Sequence, residues 1–153
     1  MARGLAVAVG LVLAGGGAVA AVRLGNDDAA PKATMTVYKT PTCGCCGKWI
    51  EHVKQAGFEV RTVEMDDLTE IKQGSGVPMR LRTCHTGVVE GYVVEGHVPA
   101  DLVARVLKER PKVTGVAVPG MPIGSPGMEG TPSQSYDVLL FNKDGSTSVF
   151  AKR

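Results

Sequence analysis

The stretch Thr40-Pro41-Thr42-Cys43-Gly44-Cys45-Cys46-Gly47 sets three of the chain's four cysteines within four positions, and the fourth, Cys84, is followed directly by His85. Cys43 and Cys46 frame a C-x-x-C. At the head of a helix, unpaired backbone N–H groups and the helix dipole would stabilise a thiolate there. A redox dithiol and a metal-binding thiolate both use that arrangement. Cys45 separates them. A dithiol couple needs one attacking and one resolving sulfur, and a third sulfur between them invites scrambled disulfides. A metal site gains from it, because Cys43, Cys45 and Cys46 can converge on a small volume while Cys84-His85 closes the cage from elsewhere.

Soft thiolates select copper(I), zinc or iron–sulfur. Zinc is the plainer option, with four sulfurs or three plus His85 completing a tetrahedral structural site. Copper(I) is favoured by the thioethers of Met79, Met121 and Met128, which need no deprotonation, and by the imidazoles of His85 and His97. Any one of these methionines could equally be packing material. His97 reads first as a strand terminus, and His52 as a solvated helix residue. Structural disulfides remain open too, since four cysteines allow three connectivities. Against them, the adjacent Cys45 and Cys46 pair poorly with each other.

These residues need a frame. Met35 to Tyr38 reads as a short strand, and Trp49, Ile50 and Val53 recur at helical spacing from Cys46 until Gly57. Phe58 to Val63 alternates as a half-buried strand. The first unit is therefore βαβ with the cysteines at the helix head. Asp66 to Gln73 predicts a short helix, interrupted by Gly74 to Pro78. A thioredoxin-like fold would face a proline loop towards the motif, and Val77-Pro78 stands in position for it. Val88-Val89 and Tyr92 to Val94 flank Glu90-Gly91, a hairpin signature. Pro99 suits the first position of a helix with Leu102, Val103, Val106 and Leu107 as its buried stripe and Pro111 as its end. Residues 112–134 are too rich in glycine and proline for a regular element through most of their length. They carry Met121 and Met128 in two Pro-Gly-Met phrases. Tyr136 to Asn142 and Thr147 to Ala151, around Asn142-Lys143-Asp144-Gly145, predict a C-terminal hairpin.

The chain's 153 residues suffice for one domain with a core. Its N-terminus opens with Arg3, an apolar run and Ala18-Val19-Ala20, which predicts a secretory signal peptide over residues 1–20, with an uncleaved membrane anchor as the competing reading. Residues 21–34 read as a linker, polar and small from Gly25 onward, and 35–153 as the metal-binding domain. Seventeen Lys and Arg against fifteen Asp and Glu give +2, and loss of Arg3 with the leader leaves +1. No basic run points to nucleic acid. Export into a bacterial periplasm is expected, with membrane contact only through a retained leader.

Three phrases, KTPTCGCCGKW, GVPMRLRTCHTGVVEGYVVEGHVPADLV and VPGMPIGSPGMEG, resemble in order the CopG-type copper-resistance proteins. The resemblance runs from about Met35 to the last hairpin. It implies an α/β, thioredoxin-like periplasmic domain: βαβ, then a hairpin and helix, a long Gly/Pro loop and the C-terminal hairpin. It also implies a thiolate-bridged, multinuclear copper(I) cluster serving copper tolerance, in the company of other periplasmic copper-handling proteins. By motif, the ligands it implies are Cys43, Cys45, Cys46 and Cys84. His85, Met121 and Met128 are further metal candidates, and no catalytic residue is assigned. A thiol–disulfide oxidoreductase using Cys43 and Cys46 is the alternative.

Overall fold

The computed structural model describes residues 33–153, so the leader and most of the linker lie outside the described residues. Strand β1 (Thr34–Lys39) leads through helix α1 (Gly44–Gln55) to β2 (Glu59–Glu64). A short helix α2 (Thr69–Gly74) and a 3-10 turn at Met79–Leu81 precede the hairpin β3 (His85–Val89) and β4 (Tyr92–Gly96). Helix α3 (Ala100–Glu109) then leads to β5 (Gly115–Val118), β6 (Asp137–Phe141) and β7 (Thr147–Lys152). The fold is mixed α/β around one seven-stranded sheet of order β2-β1-β3-β4-β5-β6-β7.

Side-chain periodicity explains the layers. In α1, Cys46, Trp49, Ile50 and Val53 are buried at helical spacing, and in α3 Leu102, Val103 and Val106 do the same. Both helices join one core cluster with Met35, Val37, Val94, Val116 and Val118 from alternate sheet positions. Val93 and Ala117 sit one residue out of phase and so face the other side. There they meet Val77, Leu81 and Phe141 in a smaller cluster. The β1–α1–β2 and β4–α3–β5 crossovers each join parallel neighbours, while β3 runs antiparallel to both β1 and β4. The β3–β4 turn has Glu90 at φ 46° and Gly91 at φ 85°, the left-handed pair that a two-residue hairpin requires.

Several sequence expectations are refined. Helix α1 starts at Gly44, so Cys45 and Cys46 belong to its first turn and Cys43 stands just outside. The Asp66 to Gln73 helix is shorter, because the Asp67 carboxylate accepts the Thr69 N–H and starts the helix there. Pro99 precedes α3 rather than opening it, its carbonyl accepting from Leu102 and Val103. Arg110, in a left-handed conformation, ends that helix before Pro111. The Gly/Pro stretch hides a real strand: β5 is buried along its whole length between β4 and β6. Four small or apolar residues show no alternation, so periodicity could not reveal it. The Val77–Pro78 peptide is trans. The residue that precedes β3 and faces the head of α1 is Cys84, not a proline.

Candidate metal centre

Cys43 approaches α1 in an extended conformation, its N–H bound to the Thr40 carbonyl and its own carbonyl accepting from Gly47. No acidic residue occupies the first turn of α1. The sulfurs are therefore the groups positioned to carry negative charge at this helix end. Cys46 is buried, while Cys43, Cys45 and Cys84 are half-buried. All four sulfurs lie within 4.8 Å of one another. Cys43 and Cys46 are joined in a disulfide, and Cys45 and Cys84 are free thiols. Cys45 Sγ is 3.6 Å from Cys43 Sγ, and Cys46 Sγ is 3.8 Å from the Cys84 carbonyl.

Two imidazoles flank Cys84. His85 Nδ1 is 3.3 Å and His97 Nε2 is 3.1 Å from its sulfur. His97 Nδ1 lies 2.7 Å from the Pro126 carbonyl, which can only accept, so Nδ1 carries the proton and Nε2 turns a lone pair to the cysteine. The His85 ring is fully buried, with its centroid 4.3 Å from that of Trp49 and 5.1 Å from that of His97. Its Nε2 has no hydrogen-bond partner. Burial, followed by the charges of His97 and Lys72, pushes His85 down to about 3. Burial also lowers His97. Both rings are thus neutral at neutral pH, the form that ligates metals. Burial first, then the neighbouring Cys45, pushes the Cys84 thiol up to about 12, so it keeps its proton until something displaces it.

Behind Cys84 lies a buried polar clamp on the opposite sheet face. Glu95 Oε1 accepts the Thr83 N–H at 2.6 Å and Lys72 Nζ at 2.7 Å. Lys72 Nζ also donates to Thr86 Oγ1 at 2.9 Å, and that hydroxyl donates to Glu95 Oε2 at 2.7 Å. The segment entering β3 is thereby held at the residue before Cys84.

The Gly/Pro loop covers the other side. Gly127, at φ 85°, packs so closely that a Cβ there would lie 2.8 Å from the Cys45 carbonyl and 2.9 Å from the Trp49 nitrogen. The loop closes on itself through Gly124 N–H to the Met128 carbonyl and Met128 N–H to the Ser125 carbonyl, each 2.8 Å. Met128 is half-buried in it, whereas Met121 is exposed with a left-handed backbone. His52 is not simply solvated: its Nε2 accepts the Ala100 N–H at 3.0 Å and so caps α3.

The structure therefore brings together Cys43, Cys45, Cys46, Cys84 and His85, and adds His97, which the sequence reading ranked as a strand terminus. A signal for it existed. Counting outward from the Glu90-Gly91 turn, the register that pairs Thr86 with Glu95 sets Cys84 opposite His97. Glu95 was missed as well, although a carboxylate ending an apolar run marks a buried partner.

The family profile described as "Protein of unknown function, DUF411" matches residues 81–128, which span Cys84, both flanking histidines and the Gly/Pro loop as far as Met128. No curated protein matches the chain. Among solved structures, "Copper resistance protein copG- Form 2" is 41% identical, with a TM-score of 0.76, over 80% of this chain and 99% of that one. "Copper resistance protein copG- Form 1" is 42% identical, with a TM-score of 0.75, over 80% of this chain and 98% of that one.

Proposed function

This chain belongs to the CopG copper-resistance family, and from that premise we propose that it is an exported copper(I)-binding protein serving copper tolerance. The observation that carries the reading is the convergence of four sulfurs within 4.8 Å of one another, with the buried His85 holding Nδ1 3.3 Å from the Cys84 sulfur. Residues of this kind fit a soft, low-coordinate cation better than zinc, which would leave the thioethers without a role. Cys43, Cys45, Cys46 and Cys84 are the ligands, and thiolates that bridge let the four hold more than one ion. His85 supplies a neutral nitrogen, and His97 orients Cys84. Met121 and Met128 supply soft donors on the loop that covers the site. Reduction of the Cys43–Cys46 disulfide by two electrons, with uptake of two protons, frees the full sulfur set. Metal binding then releases the thiol protons.

The domain spans 35–153 and is read as thioredoxin-like, which the strand order β2-β1-β3-β4 with a helix after β1 and after β4 supports. The N-terminal leader supports a periplasmic location, where other copper-handling proteins would be its partners. The test is anaerobic titration of the reduced protein against a competing copper(I) chelator. Tight binding of more than one equivalent, reduced in Cys45→Ser, is expected; absence of binding by the reduced protein overturns the reading.

A second reading is favoured by the disulfide itself: a thiol–disulfide oxidoreductase attacking through Cys43 and resolving through Cys46. In that case Cys45→Ser retains disulfide-exchange activity and Cys43→Ser abolishes it.

A further inference from the structure

A solvent-open cavity of about 480 Å³ lies between α2, the Met79–Leu81 turn and the segment entering β3, and Cys84 is the one cluster cysteine in its wall. Its rim carries Met79, Asp66 and Asp67, all exposed, and Lys72 and Arg82 line it further in. Met79 is 75% exposed, the most exposed large apolar side chain among the described residues. Packing does not account for it. The turn beneath is nonetheless firmly held: Leu81 is buried, the Arg82 N–H donates to the Met79 carbonyl, and Arg82 Nε donates to the Val77 carbonyl. A thioether is therefore displayed on a fixed turn at the mouth of a cavity that has Cys84 in its wall.

The charges suit a cation. Two carboxylates, Asp66 and Asp67, stand at the mouth against one guanidinium in the wall, that of Arg82, whose Nε is held by the Val77 carbonyl, because the ammonium of Lys72 is already paired with Glu95 at 2.7 Å. The volume is that of a small-ligand site, far more than a bare ion needs. It leaves room for copper(I) arriving on a small soft-donor carrier.

We propose that this cavity is the intake of the metal centre, with Met79 capturing copper(I) and Cys84 the first cluster sulfur to receive it. This rests on the copper(I) reading of the cysteines. Met79 suits the first contact because a neutral thioether binds copper(I) without losing a proton and holds it less firmly than a thiolate does. At transfer the bond from Met79 sulfur to copper breaks and one from Cys84 sulfur forms. The Cys84 thiol proton leaves to water, and no electron moves.

The test is stopped-flow transfer of copper(I) from its bicinchoninate complex to the reduced protein, comparing wild type with Met79→Leu, which keeps the apolar bulk and removes the sulfur. Transfer to Met79→Leu is expected to slow about tenfold, with final stoichiometry and affinity unchanged. In protein carrying 13C-methyl methionine and Cys84→Ser, the Met79 methyl signal is expected to move at the first sub-stoichiometric addition of silver(I). An unchanged transfer rate overturns the intake, as does an affinity loss as large as the rate loss, which would make Met79 a resident ligand. Either result leaves the cysteine cluster standing. A wild type that takes up no copper instead overturns the copper(I) reading, and the intake with it.

Discussion

Cys84 has two imidazoles within 3.3 Å of its sulfur, and the physics of the site at residue scale follows from their burial. A histidine in the unfolded chain takes a proton near pH 6.5, whereas His85 in the fold is pushed down to about 3. Between those values the unfolded state binds more protons, so folding stability falls as the pH falls. The slope from this one group is up to about 1.4 kcal/mol per pH unit. Denaturant midpoints measured at pH 7 and pH 4.5 should therefore show a marked drop for the wild type. His85→Gln does not titrate and should show a smaller drop. An equal drop in both would show that His85 is not the group responsible.

At the scale of elements, two pieces meet over the head of α1. The β3–β4 hairpin delivers Cys84 and His97 from its two open ends, and the Gly/Pro loop presses Gly127 onto the first turns of the helix. Gly127→Ala places a Cβ within 3 Å of two backbone atoms at a positive φ. The loop would have to lift, taking with it the Pro126 carbonyl that fixes the His97 tautomer. The expected cost is about 1–3 kcal/mol of stability, by overpacking. Alkylation of the free Cys45 thiol should also become faster. Unchanged labelling would mean that the loop does not shield the cluster.

At the scale of the whole molecule, the Lys72–Glu95 pair joins α2 to the sheet and holds, at Thr83, the segment that carries Cys84 into β3. Its two side chains are almost completely buried. Removing one partner strands the other charge, so Glu95→Ala should cost about 3–5 kcal/mol. Replacing both members, as Lys72→Met with Glu95→Leu, should recover much of that stability. It should not restore copper affinity, because the Thr83 N–H has still lost its acceptor. Thermal melts beside chelator competition separate the two effects; full recovery of affinity would show that the clamp does not position Cys84.

Most of the frame was legible in the sequence because local rules govern it. Trp49, Ile50 and Val53 mark α1 by their spacing, Glu90-Gly91 marks the hairpin by its turn chemistry, and the C-x-C-C phrase marks the sulfurs by their type. β5 escaped because a fully buried four-residue strand has no alternating pattern, and its pairing partners lie far away in sequence. The roles of His97, Glu95 and Gly127 escaped for a related reason: each depends on what a distant segment places opposite it. The sequence by itself determined which soft donors the chain carries and which element heads present them. Only the tertiary structure decided that Cys84 meets the other three sulfurs, that His85 is buried without a partner for its Nε2, and that a cavity rimmed by Met79 has Cys84 in its wall. Convergence of that kind comes from the register and packing of the sheet, which no local stretch of residues encodes.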